Sequence, residues 1–270
     1  MSGSLFNQAQ SPCYNTPMYN ILAIVLLGWL GGNLVNYLAD YLPVDRKIVT
    51  PYCLNCKSPR SITNYLLFPK RCDQCKQRVP IRFWMVNLFF ISMSVYFWLN
   101  PGVQLDFWLQ LLLLVYFTLV VVIDLEHRLI LHIVSLAGAV LGLYVGILNH
   151  GLVNTLLGGL AGLMIMYILY QGGRLFVRFL AKWRNYSDID EALGFGDVIL
   201  SGVIGLMLGW PGIVLGLILA VLLAGAVSLI FLVILVVTHR YRANLTIAYG
   251  PYLILSALIL VLFKDLLQGF

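Results

Sequence analysis

Long unbroken apolar runs separated by short polar stretches dominate the chain, and about eight of them approach the length an α-helix needs to cross the hydrocarbon core of a bilayer. They run from Tyr19 to Leu38, Phe83 to Leu99, Leu105 to Ile123, Leu129 to Ile147, Leu152 to Tyr170, Val198 to Trp210, Ile213 to Val237 and Leu245 to Phe263. The sixth is short. A span surrounded by lipid must satisfy its own backbone polar groups, so each run predicts a helix. Trp29, Trp108, Trp210 and Tyr249 near the ends of runs suit an interfacial aromatic belt, although Trp29 suits a core position equally well. The expected fold class is an all-α polytopic membrane protein.

Composition strengthens that expectation. Of 270 residues, 61% are apolar and only 10% charged, which excludes a dispersed soluble domain. The bases set the orientation. Alternate loops contain Arg46 to Arg82, then Arg128, then Arg174 to Arg184, then Arg240 and Arg242, which leaves Lys264 as the exception. The positive-inside rule puts those loops in the cytoplasm and both termini outside. The net charge of +6 is therefore read as a topology signal and not as nucleic-acid binding. No base precedes Arg46, so the first run lacks the charged start of a cleavable signal peptide and is expected to stay as an anchor. Three regions follow: residues 1–42 with the first helix, a cytoplasmic insert at 43–82, and the remaining helices over 83–270.

The insert carries Cys53-Leu54-Asn55-Cys56 and, fifteen residues later, Cys72-Asp73-Gln74-Cys75. This spacing is that of a tetrahedral four-cysteine metal site, in which two tight turns each present a pair of thiolates. A cytoplasmic location disfavours disulfides. Lys57, Arg71 and Lys76 are placed to favour the thiolate form. Four protein ligands leave no open position, so the metal is expected to be structural. Redox chemistry at the two Cys pairs is the weaker reading, and Cys13, outside the membrane, is read as an incidental thiol.

Asp124 and Asp197 lie at the ends of apolar runs, and the topology puts both at the cytoplasmic face. Either one alone is as well explained by a solvated helix end. Together they are better explained as a working pair, because an ionisable group beside hydrocarbon is costly. Gly194 and Gly196 frame Asp197, and their missing Cβ atoms allow a sharp turn or a close approach, leaving room for an extended peptide. Gly158, Gly159 and Gly162 are read instead as helix-packing positions. Asp40, Asp45, Asp73, Asp188, Asp190 and Glu191 lie in polar cytoplasmic stretches where solvation explains them, and Asp106 and Asp265 are outside. Glu126 is assigned at most a secondary electrostatic role.

Two adjacent carboxylates resist ionising together, so one keeps a proton and the other accepts one, the arrangement that activates water and polarises a carbonyl. The reaction this predicts is peptide hydrolysis without a covalent intermediate. No G-x-S-x-G elbow, H-E-x-x-H pair or phosphate-binding loop competes. His127, His132, His150 and His239 are scattered, and only His127 is near Asp124 in sequence.

Several segments resemble the type IV prepilin leader peptidases in order and spacing. Gly32 to Tyr37 and Leu42-Pro43 resemble that family's first span, and the Cys pairs its zinc module. Ile123-Asp124-Leu125 resembles its first aspartate motif. Gly194-Phe195-Gly196-Asp197 with Gly205 to Trp210 resembles its second, and Tyr249-Gly250-Pro251-Tyr252 its late Gly-Pro motif. The likeness covers most of the chain. It implies a membrane aspartic endopeptidase of a prokaryotic inner (cytoplasmic) membrane that removes the basic leader of prepilins or pseudopilins, cutting after glycine. Asp124 and Asp197 would be catalytic, and structural zinc would sit on Cys53, Cys56, Cys72 and Cys75. Many members also methylate the new N-terminus with S-adenosylmethionine. The chain departs from the family at Ile130-Leu131-His132, where Ile-Pro-Asp is frequent. It departs again at Ile199, where a lysine is common, and at Asn87, where a glutamate is frequent.

Two other classes stay open. A proton-coupled transporter also uses membrane acids, though more usually at the midplane and with internal repeats. A noncatalytic assembly protein would use the zinc module as a docking platform. The expected partners are the prepilin substrate and the lipid bilayer, with no oligomeric state indicated.

Overall fold

The computed structural model describes residues 18–61, 72, 74–76, 79–100, 105–184, 194–238 and 249–262. Among them are seven helices and no strand: α1 (Met18–Asp45), α2 (Ile81–Leu99), α3 (Phe107–His127), α4 (His132–Arg184), α5 (Phe195–Leu208), α6 (Gly212–Val237) and α7 (Gly250–Leu262). Of these, α1, α2, α3, α4 and α6 are long and apolar enough to cross a membrane, while α5 and α7 are shorter apolar helices.

The boundaries differ from the hydropathy reading in instructive ways. The fourth and fifth runs are two helices that follow one another within α4 and meet at Gly151, whose φ of 75° and ψ of 165° leave helical space. A side chain would disfavour that conformation. Beyond Tyr170, where loop was expected, α4 continues to Arg184, and the Arg174 guanidinium lies 5.5 Å from the centre of the Tyr170 ring. Hydropathy ends a span where charge begins, but a helix needs only its backbone bonds to continue. For the same reason α1 runs past Leu38 to Asp45. Residues 239–248 lie outside the described set, and the last run is seen from Gly250.

Helices α4 and α5 are held together at a glycine crossing. A Cβ on Gly158 would strike the Gly205 carbonyl oxygen, and one on Gly205 would strike the Gly158 carbonyl and lie 3.1 Å from the Gly159 Cα. Ser201 Oγ donates to the Gly162 carbonyl at 3.0 Å. Helices in lipid gain little from burying apolar surface against one another, so close backbone packing of this kind supplies the attraction. Gly158→Leu is expected to lower stability by about 3 kcal/mol, because backbone on the facing helix cannot move aside as a side chain can. Gly225→Ala, where no atom lies within 4 Å, is expected to be neutral. Thermal unfolding in detergent distinguishes the two.

On the other side of the molecule α1 packs on α2, with Trp29 edge-on to Phe83 at 6.2 Å between ring centres. This gives Trp29 a packing role. Phe90 on α2, Phe117, Leu113 and Ile123 on α3, Ile204 on α5 and Leu253 on α7 are fully buried. Because α7 packs against both α3 and α5, its first residue reaches the ends of those helices that carry Asp124 and Asp197.

Candidate active site

Asp124 occupies the last turn of α3 and Asp197 the first turn of α5. α3 stops just beyond because Arg128 adopts a left-handed conformation, φ 50° and ψ 40°, while its N–H donates to the Asp124 carbonyl at 2.9 Å. α5 begins at Gly194 in extended conformation, and the Asp197 N–H donates to the Gly194 carbonyl at 3.1 Å. Both aspartates are buried, at 6% and 8% relative exposure. The sixth run had been placed from Val198, which left Asp197 just ahead of it. Starting α5 at Phe195 puts the carboxylate inside the first turn, next to the free N–H groups of a helix start.

The two side chains converge on Gly250. A Cβ there would collide with Asp124 Oδ2, 3.1 Å from the Asp124 Cγ, and would lie 3.5 Å from Asp197 Oδ1. Any residue other than glycine at the head of α7 would therefore intrude on Asp124 and stand in contact with Asp197. In the sequence Gly250 stands within Tyr249-Gly250-Pro251-Tyr252 with no role of its own evident. The signal was present, a Gly-Pro pair opening an apolar run, but only the tertiary contact shows what it is for. Asp124 Oδ2 is buried and has no hydrogen-bond partner among the described residues, which leaves an acceptor open at the junction of the two groups.

The two flanking glycines act differently. A Cβ on Gly196 would lie 3.0 Å from the Ile130 Cβ, so glycine here lets the α3–α4 connection pack onto the first turn of α5. A Cβ on Gly194 would make only ordinary contacts, with Asp197 Oδ2 at 3.6 Å and the Gly196 nitrogen at 4.0 Å. That position leaves space beside the carboxylate and is not forced by packing.

Glu126 does not join the pair. Its Oε2 accepts from Arg82 Nη1, while Arg82 Nη2 donates to Asp40 Oδ1. One guanidinium thus ties α1, α2 and α3 together at the end that carries Asp124. This corrects the reading of Asp40 as merely solvated, since its carboxylate is only 18% exposed and bound to Arg82. Arg82 itself was missed, counted only as one base among many. Arg82→Leu is expected to destabilise by about 1 to 2 kcal/mol, because it leaves two carboxylates without their cation at a partly screened site. Glu126→Gln keeps a hydrogen-bond acceptor and should cost well under 1 kcal/mol by the same unfolding assay. His127 and His132 are exposed, His150 packs against Gly209, and His239 lies outside the described residues.

A separate cluster stands in the insert. The sulfurs of Cys53, Cys56, Cys72 and Cys75 all lie within 4.8 Å of one another, with Cys53 to Cys75 and Cys56 to Cys72 each at 3.5 Å. A tetrahedral metal with bonds of about 2.3 Å to sulfur needs sulfurs roughly 3.8 Å apart, so the donor set fits such an ion. Cys53 with Cys56 and Cys72 with Cys75 are each presented by the same kind of turn. The Lys57 N–H donates to the Cys53 carbonyl at 2.7 Å, the Lys76 N–H to the Cys72 carbonyl at 2.8 Å, and both lysines have positive φ. Backbone N–H groups of Cys75 and Gln74 and the Ser58 hydroxyl pull the Cys72 thiol down to about 5. No disulfide joins these four cysteines. Arg71 and Asp73 lie outside the described residues, as do Cys13, Asp188, Asp190, Glu191, Arg240, Arg242, Lys264 and Asp265. The insert is strapped to α1 by tyrosines: Tyr37 donates to the Val49 carbonyl, Tyr41 to that of Tyr52, and Tyr52 to Asp45 Oδ2 at 2.8 Å.

Comparison with known proteins bears on this arrangement. The sequence profile described as the type IV leader peptidase family matches residues 111–230, a segment that contains both Asp124 and Asp197. A protein of Aeromonas salmonicida named prepilin leader peptidase/N-methyltransferase is 26% identical over 228 residues, covering 79% of this chain and 71% of its own. Proteins of the same name from Pseudomonas putida and Pseudomonas aeruginosa are 24% and 26% identical, each alignment covering 92% of both chains. No solved structure matches. Paired buried aspartates on a helical scaffold, a profile match spanning both, and relatives aligned over nearly the whole length agree: the chain is similar to the type IV leader peptidase family.

Proposed function

We propose that the protein is a membrane aspartic endopeptidase that removes the basic leader of type IV prepilins or pseudopilins at the cytoplasmic face of the inner membrane. The observation that carries the reading is the meeting of Asp124 and Asp197 at Gly250, buried and at helix ends. A proton-coupled transporter would favour acids at mid-helix, and an assembly protein has no need to bury two carboxylates together.

The chemistry follows from the pair. One aspartate, ionised, takes a proton from a water whose oxygen attacks the scissile carbonyl carbon. The other, protonated, donates a hydrogen bond to the carbonyl oxygen. Proton transfer to the peptide nitrogen then lets the C–N bond break, releasing a leader carboxylate and a new amine. No covalent intermediate is required. The leader's bases stay in the cytoplasm while the apolar helix remains in lipid, which brings the junction to the depth of the aspartates.

In this reading α4 crosses twice about Gly151, making eight crossings with α5 and α7, and both termini lie outside. Cys53, Cys56, Cys72 and Cys75 hold a structural zinc whose four thiolates leave no open position. The zinc supplies folding of the insert and no step of the hydrolysis.

Methylation of the new amine from S-adenosylmethionine is the second proposed activity, motivated by the relatives' name and by a product born where a second reaction can reach it. Asn87, buried with its amide donating to the Phe83 carbonyl at 2.9 Å, and Ile199 replace ionisable residues of the family pattern. Intact-mass analysis of a prepilin treated with the purified protein, with and without S-adenosylmethionine, tests both activities. The expected result is a cut after the leader glycine, with a methyl increment only when the cofactor is present. An uncut prepilin would contradict the peptidase, and a cut but unmethylated product at saturating cofactor would remove the second activity.

A further inference from the structure

A cleft of about 440 Å³ runs between α2, α3 and α7, lined almost wholly by apolar side chains. Two of its walls begin close to Asp124 and to Gly250. On α3, Val121 and Phe117 are three and seven residues before Asp124, which places all three on one helical stripe. On α7, Pro251 adjoins Gly250 and is followed along the cleft by Leu255 and Leu258. Asp124 to Phe117 and Pro251 to Leu258 are each about two turns, roughly 10 Å, so the walls leave the dyad together and run the same distance. Met85 and Phe89 close the third side from the start of α2.

We infer that this cleft seats the apolar helical segment of the prepilin immediately following the scissile bond, an inference that rests on the peptidase reading. Its continuity with Asp124 and Gly250 argues for that occupant. A substrate whose junction lies between the carboxylates must continue into the bilayer, and this cleft starts within one turn of Asp124, beside Gly250, and runs into apolar helix. A second cleft, of about 430 Å³ between α4 and α5, does not compete. It meets α5 at Ile199, two residues after Asp197 and therefore roughly 200° around the helix, on the face turned away from the carboxylate. Within lipid the gain on docking comes from side-chain packing, because leaving a bilayer for an apolar cleft yields little hydrophobic free energy. Fit should therefore govern how well a prepilin binds.

The test places a benzophenone amino acid at Leu255 in full-length Asp197→Asn protein in lipid nanodiscs and adds an uncut prepilin with its complete apolar segment. Illumination should join Leu255 to prepilin residues within about two turns after the junction. Capture should exceed by about tenfold that from the same probe at Leu160 in the other cleft. In active protein, Leu255→Trp should lower the preference for full prepilin over a short junction peptide by about tenfold, while Leu160→Trp leaves the preference unchanged. Capture of lipid alone at Leu255, equal capture at both positions, or an equal loss on both substrates would overturn the inference. Failure of the unsubstituted protein to cut either substrate would instead overturn the peptidase reading, and the capture arm would still decide what occupies the cleft.

Discussion

Replacing Asp124 or Asp197 by asparagine is expected to slow prepilin cleavage by about a thousandfold or more while leaving the protein folded and membrane-inserted. Asparagine fills the same volume, so the contacts around Gly250 survive, but it can neither accept the proton of the attacking water nor donate as a carboxylic acid. The double variant should be little slower than either single one, because two groups acting as a unit lose most of their effect when one is removed. Cleavage rates measured beside thermal midpoints separate chemistry from folding. Turnover within tenfold of the unsubstituted protein in either single variant would remove that residue from the mechanism. Gly250 sets a companion expectation: even alanine there intrudes on Asp124, so it should impair cleavage without touching an ionisable group.

The cysteines carry the second large effect. About one zinc per chain is expected, and Cys53→Ser or Cys72→Ser should abolish stoichiometric metal and unfold the insert locally, since structural zinc supplies about 10 kcal/mol or more in small isolated modules. Metal content together with limited proteolysis over residues 43–82 reads out both. The helices should keep their thermal midpoint in these variants, because α1 and α2 hold each other through Trp29, Phe83 and the Arg82 clamp independently of the metal. A protein without zinc and with four freely titratable thiols in the native state would contradict the assignment.

The parts legible in the sequence were those written in short-range spacing. Apolar run length marks the helices because lipid leaves the backbone no other partner, and the Cys-x-x-Cys pairs mark a cluster because each turn closes on itself. What spacing cannot express is which distant segments touch. Nothing near Gly250 in the chain announces that its missing side chain makes room for Asp124 and Asp197. Arg82, Asp40 and Glu126 each resemble an ordinary charge at a helix end until the three helices meet. The Gly151 break was visible as a gap between two apolar runs, but hydropathy does not say that a single glycine carries the change of direction with no loop between the helices. The extension of α4 to Arg184 was missed for the converse reason, since charged residues end a hydropathy window without ending a helix.

The central claim is that water, activated by the buried aspartate pair, cleaves the leader directly. A single turnover in water enriched in heavy oxygen, followed by mass analysis of the released leader and of the enzyme peptides containing Asp124 and Asp197, tests it most directly. The account predicts one heavy oxygen in the new leader carboxylate and none in either aspartate. An unlabelled leader with the label in an enzyme aspartate would contradict it, because that pattern requires a covalent acyl intermediate that the paired geometry has no need to form.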